Sequence, residues 1–151
     1  MDRKEQAIML HKNGFNCAQS VVTAFADQYG FTEEQALHMA ASFGGGIGRM
    51  RETCGAACGL FLVAGLKTGA TEAADREGKA ANYAVVQELA AEFKKRNGSL
   101  ICAELLGLKK KEPVSTIPEE RTAQYYSKRP CAKMVEEAAR IWVEYLEKHP
   151  K

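Results

Sequence analysis

The chain has 151 residues, of which 46% are hydrophobic and 26% charged, and its formal net charge is only +2. One domain of this length buries enough surface to fold without disulfides, and so weak a net charge excludes a strong electrostatic footprint for nucleic acid or an anionic membrane. No apolar stretch reaches the ~20 residues of a membrane span and residues 1–6 begin no secretory signal, so we expect a cytoplasmic protein.

Helical spacing of apolar residues, bounded by caps and glycines, predicts a single all-α domain over residues 1–151 with about seven helices and no strand. Residues 108–118, with three lysines and two prolines, are predicted to form an exposed loop. The predicted helices lie at about 3–12, 16–29, 32–43, 54–67, 72–96, 99–107 and 130–148, with a weak one at about 119–127.

Four of the five cysteines stand where a helix is predicted to begin. They are Cys17 after the N-cap Asn16, Cys54 after the N-cap Thr53, Cys102 at a third helical position, and Cys131 after Pro130. Unpaired N–H groups at a helix start favour the thiolate, which lowers a thiol pKa from about 8.5 to roughly 3.5–7.5 in strong cases. In a reducing compartment, such cysteines are typical of metal-binding or catalytic sites, and the alternative is that each fills space in the core.

Cys54 and Cys58 are the only close pair, and a spacing of four puts both sulfurs on one helix face. This spacing suits a shared metal better than a disulfide, although Cys58 is equally explained as a small packing residue. Because no pair of Cys-x-x-Cys motifs is present, a zinc ribbon is disfavoured. Thiolates from separate helices still suit a tetrahedral zinc ion or an iron–sulfur cluster, and spacing does not choose between them.

The glycine-rich stretch 44–48 follows a helix and lacks a complete nucleotide-binding motif, so no nucleotide is expected. We interpret Gly45 and Gly46 as positions of positive φ where the backbone approaches a ligand or a helix closely, the alternative being a flexible turn. Arg49 and Arg51 beside this stretch would lower the pKa of Cys54 further, the alternative being that both side chains face solvent.

The three histidines, His11, His38 and His149, form no ligand motif, and without a Cys-x-x-Cys-His sequence no covalent haem is expected. The small residues of the 54–67 helix and the apolar stripe of the last helix, which includes Trp142, are compatible with a homodimer. Trp142 itself is expected in the core or at a dimer seam.

Five short motifs in this order resemble the C_GCAxxG_C_C family, which is described as redox-active, and the resemblance spans about residues 14–140. They are Asn16-Cys17-Ala18-Gln19, Gly44-Gly45-Gly46-Ile47-Gly48-Arg49, Glu52-Thr53-Cys54-Gly55-Ala56, Cys102-Ala103-Glu104-Leu105-Leu106-Gly107 and Cys131. The cysteine region is also similar to the non-haem iron part of split-Soret cytochromes. The resemblance implies an all-helical protein whose spaced cysteines, matched by Cys17, Cys54, Cys102 and Cys131, serve redox chemistry or hold a cluster. The local order Cys54-Gly55-Ala56-Ala57-Cys58-Gly59 departs from a literal Gly-Cys-Ala-x-x-Gly and leaves the role of Cys58 open.

Three functions follow as hypotheses. The first is electron transfer through an iron–sulfur cluster or other metal held by Cys17, Cys54, Cys102 and Cys131, with Cys58 as an alternative ligand and with Gly45, Gly46 and Arg49 beside the cofactor. The second is a thiol–disulfide oxidoreductase or redox sensor in which Cys54 attacks. The third is a helical interaction protein whose cysteines are structural. The sequence does not identify a redox partner.

Overall fold

A computed structural model describes residues 2–108, 115–122 and 130–150 of the chain. Within these ranges the protein is all-α with no strand, which confirms the predicted fold class, and no helix is long and apolar enough for a membrane span. Two 3-10 helices, Asp27–Tyr29 and Ala41–Phe43, continue the second and third α-helices. The α-helices are α1 (Arg3–Lys12), α2 (Cys17–Ala26), α3 (Glu33–Ala40), α4 (Gly55–Thr68), α5 (Arg76–Asn97), α6 (Cys102–Leu105) and α7 (Cys131–Lys148).

Capping boxes fix the starts of the first three helices. The side chains of Asp2, Asn16 and Thr32 each accept a hydrogen bond from the backbone N–H three residues later, and the side chain at that later position accepts one from the backbone N–H of the cap residue. Each reciprocal pair satisfies N–H groups that a helix start leaves without intrahelical partners. The helix starts predicted at 3, 16 and 32 therefore agree with the structure within one residue.

The helix predicted at 72–96 begins later, at Arg76, because the carboxylate of Asp75 accepts the N–H of Gly78 and caps the helix there. The helix predicted at 99–107 is reduced to the single turn of α6, because Ile101 is extended and pairs with Thr53. Of the weak helix predicted at 119–127, residues 119–122 are not helical and residues 123–127 lie outside the described part of the chain.

The core lies around α2, which packs against α1, α3, α4 and α7. Its largest fully buried side chains are Trp142, Phe25, Phe93 and Leu60, from α7, α2, α5 and α4 respectively. Trp142 is therefore a core residue, one of the two positions expected from the sequence.

The contact between α2 and α4 depends on a glycine, and a matched pair of substitutions tests it. A Cβ on Gly59 would lie 2.8 Å from Cβ of Val21, whereas a Cβ on Gly65 of the same helix meets nothing within 4 Å. We expect Gly59→Ala to lower the free energy of unfolding by about 2 kcal/mol through overpacking. Gly65→Ala should raise it by about 0.7 kcal/mol, because alanine favours the helix. Denaturant unfolding of both variants measures the difference, and a stabilising Gly59→Ala would contradict the close packing.

Candidate functional site

Four cysteines from four different elements line one cavity of about 290 Å³. Cys17, Cys102 and Cys131 are the first residues of α2, α6 and α7, and Cys54 is the N-cap of α4. Each of the four cysteines therefore stands at a helix start, although Cys54 takes the cap position expected for Thr53 and Cys102, expected at a third helical position, is the first residue of α6. Cys58 does not line this cavity.

A short backbone clip brings Cys54 and Cys102 to the cavity together. Thr53 and Ile101 form an antiparallel bridge, flanked by hydrogen bonds of 2.6 Å from the N–H of Cys54 to the oxygen of Leu100 and from the N–H of Cys102 to the oxygen of Glu52. Alternation along the two extended segments puts the residues on either side of the bridge on one face. Both cysteines therefore project to the same side of the clip.

The glycine-rich loop of residues 44–51 forms one wall of the cavity through an unusual backbone. Gly45, Gly46 and Gly48 have φ of 65°, 76° and 58°, which confirms the positive φ expected at Gly45 and Gly46. Ile47, Arg49 and Arg51 share this conformation with φ of 66°, 62° and 62°, at a cost of roughly 1–2 kcal/mol for each residue with a Cβ. Strain of this kind clusters at functional sites, where the surrounding structure maintains it.

Two glycines let the backbone approach the cysteines closely. A Cβ on Gly46 would lie 2.6 Å from Cβ of Cys102, and a Cβ on Gly55 would lie 3.3 Å from Cβ of Cys17. Asn16 links α2 to the 3-10 helix that precedes this loop, since its side chain caps α2 and donates to the oxygen of Ala41 at 3.1 Å. The spacing of these residues in the sequence did not indicate that link.

Three arginines line the cavity, and each has a separate contact. Arg51 Nη1 lies 3.7 Å from Sγ of Cys102. Arg49 Nη1 donates to the oxygens of Ser115 and Ile117 at 2.9 Å and 2.5 Å. Arg121 donates to the oxygens of His11 and Phe15 at 3.2 Å and 3.1 Å.

The contacts of Arg49 and Arg121 connect residues 115–122 to the rest of the protein beside the cavity, and Thr116, Pro118, Glu119 and Arg121 join its lining. The charged side chains among the described lining residues are three arginines and one glutamate, so the wall has a formal charge of +2 before any thiol ionises. Arg121 was not predicted as a site residue, because nothing in the local pattern links residues near 120 to residues 11–15.

Burial reverses the expected effect of the helix starts on the thiol pKa. Burial raises the pKa of Cys54 to about 12, although the backbone N–H groups of Ala57 and Ala56 act in the opposite direction. A hydrogen bond with Cys131, followed by burial, raises the pKa of Cys17 well above its ordinary value. The prediction of lowered thiol pKa values is therefore wrong for both cysteines. Neither Arg49 nor Arg51 is among the main causes of the pKa shift of Cys54: Arg51 contacts Cys102, and Arg49 donates to carbonyl oxygens.

Cys58 has a different environment from the other four cysteines. Its side chain is 7% exposed, and its Sγ lies 3.7 Å from the carbonyl oxygen of Thr53, to which the thiol donates. Burial raises its pKa to about 11. Cys58 is thus a buried thiol directed at the backbone beside the clip.

The fold and the cavity define a small all-helical protein with a four-cysteine pocket. The chain belongs to the C_GCAxxG_C_C family, whose description is "Putative redox-active protein (C_GCAxxG_C_C)" and whose pattern matches residues 15–145. No curated protein and no solved structure matches the chain. The family assignment supports redox activity as the general function.

Proposed function

We propose that the protein transfers electrons through an iron–sulfur cluster ligated by Cys17, Cys54, Cys102 and Cys131. The observation that carries this proposal is that these four cysteines, and not Cys58, line one cavity. An iron–sulfur cluster accepts four Cys thiolates and supplies one-electron transfer when bound. The cavity therefore contains the soft donor set that such a cluster requires.

The size of the cavity favours a cluster over a single ion. In the described residues, no group of three or more His, Cys, Asp or Glu side chains is arranged to hold a metal ion. A tetrahedral zinc ion with Zn–S distances of about 2.3 Å needs sulfurs about 3.8 Å apart. A cluster would need more space than a single ion, because its own iron and sulfide atoms would lie between the thiolates. A cavity of about 290 Å³ between four cysteines suits the larger group better.

The charge of the cavity wall complements such a centre. Arg49, Arg51 and Arg121 outweigh Glu119 by two positive charges among the described lining residues. Four thiolates around a core of charge about +2 would carry about −2 in total. The arginines would offset that charge, and Gly45 and Gly46 would let backbone N–H groups approach it.

The second function predicted from the sequence, a thiol–disulfide oxidoreductase or redox sensor in which Cys54 attacks, has less support. A pKa of about 12 leaves the Cys54 thiol protonated at neutral pH, whereas the thiolate is the nucleophile. Metal binding also requires deprotonation, but there the bond to the metal drives the loss of the proton. Cytoplasmic location and homodimer formation stay predictions.

Anaerobic reconstitution with iron and sulfide tests the proposal. We expect the intact protein to bind both and to develop visible charge-transfer absorption. Single Ser substitutions at Cys17, Cys54, Cys102 and Cys131 should each reduce cluster retention by at least about tenfold, because each removes one ligand. Cys58→Ser is the matched control, since it removes a buried thiol outside the cavity and should retain the cluster.

Each alternative gives a different result in this experiment. An intact protein that stays colourless, or a Cys58→Ser variant that loses the cluster as readily as Cys54→Ser, would contradict the proposed ligands. Uptake of one zinc ion in place of iron and sulfide would indicate a single-ion site. Far-UV circular dichroism of every variant separates loss of a ligand from loss of the fold.

A further inference from the structure

The longest helix, α5, buries only one side. Of its 22 residues, all of which the structure describes, Leu89 and Phe93 are the two that are buried. Asn82 donates to the hydroxyl of Thr68 in α4 from the same side, since positions 82, 89 and 93 are separated by whole helical turns. The opposite side of α5 faces solvent from the first turn of the helix to the last.

This exposed side of α5 carries one row of residues at alternating spacings of three and four. We call it the α5 stripe, and its members, all exposed, are Glu77, Ala80, Ala84, Gln87, Ala91 and Lys94. Such spacing is that of the a and d positions of a coiled coil, which meet a partner helix along one seam. The α5 stripe is about 26 Å long, and the small side chains in its middle allow a second helix to approach closely.

The α5 stripe is complementary to itself when two copies run antiparallel. Its spacings are the same in both directions, so a two-fold axis midway between residues 85 and 86 places each member opposite another member. Glu77 then faces Lys94 of the second copy, and the alanines and Gln87 face each other between these ends. Because a two-fold axis repeats every contact, this pairing contains two Glu77–Lys94 ion pairs, one at each end.

The charges favour the antiparallel pair over a parallel one. In a parallel pair Glu77 would face Glu77 and Lys94 would face Lys94, which opposes like charges at both ends. Beside the stripe, the neighbours in the antiparallel pair are Arg76 with Asn97, Ala81 with Glu88, and Tyr83 with Ala90. None of these neighbours opposes like charges. Tyr83, a large side chain that is 61% exposed in one copy, would also be covered by the second.

We propose that two copies of this protein pair antiparallel through the α5 stripe. In contrast to α5, both α4 and α7 bury most of their apolar residues within one chain. A single pair of helices about 26 Å long buries less than the roughly 1,600 Å² of a standard interface, so the dimer is weak and dissociates on dilution. The pairing involves no residue of the cysteine cavity, and it stands or falls independently of the proposed function.

Sedimentation of the reduced, metal-free full-length chain over about a hundredfold range of concentration tests the interface. We expect a reversible monomer–dimer equilibrium. Ala84→Glu should weaken the dimer at least tenfold, because it places a charge at the centre of the seam, while glutamate remains a good helix former. A protein that stays monomeric at every concentration, or a dimer that persists unchanged in Ala84→Glu, would overturn the proposal.

Exchange of the end charges tests the register. Glu77→Lys and Lys94→Glu should each weaken the dimer by about fivefold, since each replaces two ion pairs by two like-charge contacts. The variant with both substitutions should recover the original affinity within about twofold, because the pairs form again with opposite sign.

The matched control for charge is Glu34→Lys, which makes the same change at a side chain of α3 that is 88% exposed and should leave the affinity unaltered. Far-UV circular dichroism of each variant verifies that the helices remain. A double variant as weak as the single ones, or a Glu34→Lys variant weakened as much as Glu77→Lys, would overturn the antiparallel register.

Discussion

Replacing Gly46 with alanine should lower the free energy of unfolding by about 3 kcal/mol and disturb the cysteine cavity. Gly46 has φ of 76°, which costs alanine roughly 1 kcal/mol or more. In addition, the new Cβ would lie 2.6 Å from Cβ of Cys102 and 2.8 Å from Cα of Arg51. Since neither atom is the end of a flexible side chain, the loop or the clip must shift, and overpacking of this kind typically costs about 1–3 kcal/mol.

Gly48 offers a matched control within the same loop. Its φ is 58°, but a Cβ at this position meets nothing within 4 Å. Gly48→Ala should therefore show only the backbone effect, about 1 kcal/mol. Denaturant unfolding of the two variants isolates the contribution of the contact with Cys102, and iron retention after reconstitution reports whether Cys102 has moved. Equal losses of stability would show that the contact with Cys102 is unimportant.

Acidification from pH 6.5 to pH 4 should destabilise the protein by about 3 kcal/mol through His11 alone. The His11 side chain is 1% exposed, and burial, followed by the nearby charge of Arg121, lowers its pKa from 6.5 to about 4. Below pH 6.5 the unfolded chain binds a proton at this residue while the folded protein does not. Protons therefore favour unfolding over this range, and the stability present at neutral pH is lost progressively as the pH falls towards 4.

Substitution of His11 by glutamine should flatten this part of the stability profile, because glutamine has no titrating group. The control is His38→Gln. The His38 side chain is already 82% exposed in the folded protein, so its surroundings change little when the chain unfolds. Chemical denaturation of the three proteins at half-unit intervals between pH 4 and pH 7 measures the slopes. An unchanged slope in His11→Gln would show that other groups account for the acid sensitivity.

Local signals in the sequence predicted most of the helices but not the convergence of residues at the site. Asn16 and Thr32 marked helix starts correctly, because a capping box is formed by residues three positions apart. The predicted start of α6 was wrong, because Ile101 is held in an extended conformation by its bridge with Thr53, which is far away along the chain. The convergence of the cysteines depends on helix packing over similar separations, and no local pattern encodes it.

The pKa of Cys54 shows where reasoning from local structure fails. The sequence correctly indicated that its thiol stands at a helix start, and the N–H groups of Ala56 and Ala57 do favour the thiolate. Desolvation outweighs them because Cys54 is 6% exposed, and burial penalises the charged form of a thiol. Burial is a property of the assembled fold, so it could not be predicted from the residues around Cys54.

The clip between residues 51–54 and 100–103 also has an evolutionary consequence. Its hydrogen bonds join main-chain groups, including the N–H of Ala103 to the oxygen of Arg51, and no side chain takes part in them. Many replacements at Thr53, Leu100 or Ile101 would preserve the bonds, provided that the new residue tolerates an extended backbone and is not a proline where an N–H is needed. Homologous chains can therefore diverge at these positions while keeping Cys54 and Cys102 side by side. The backbone geometry of the clip should accordingly vary less among homologues than the amino acids at these three positions.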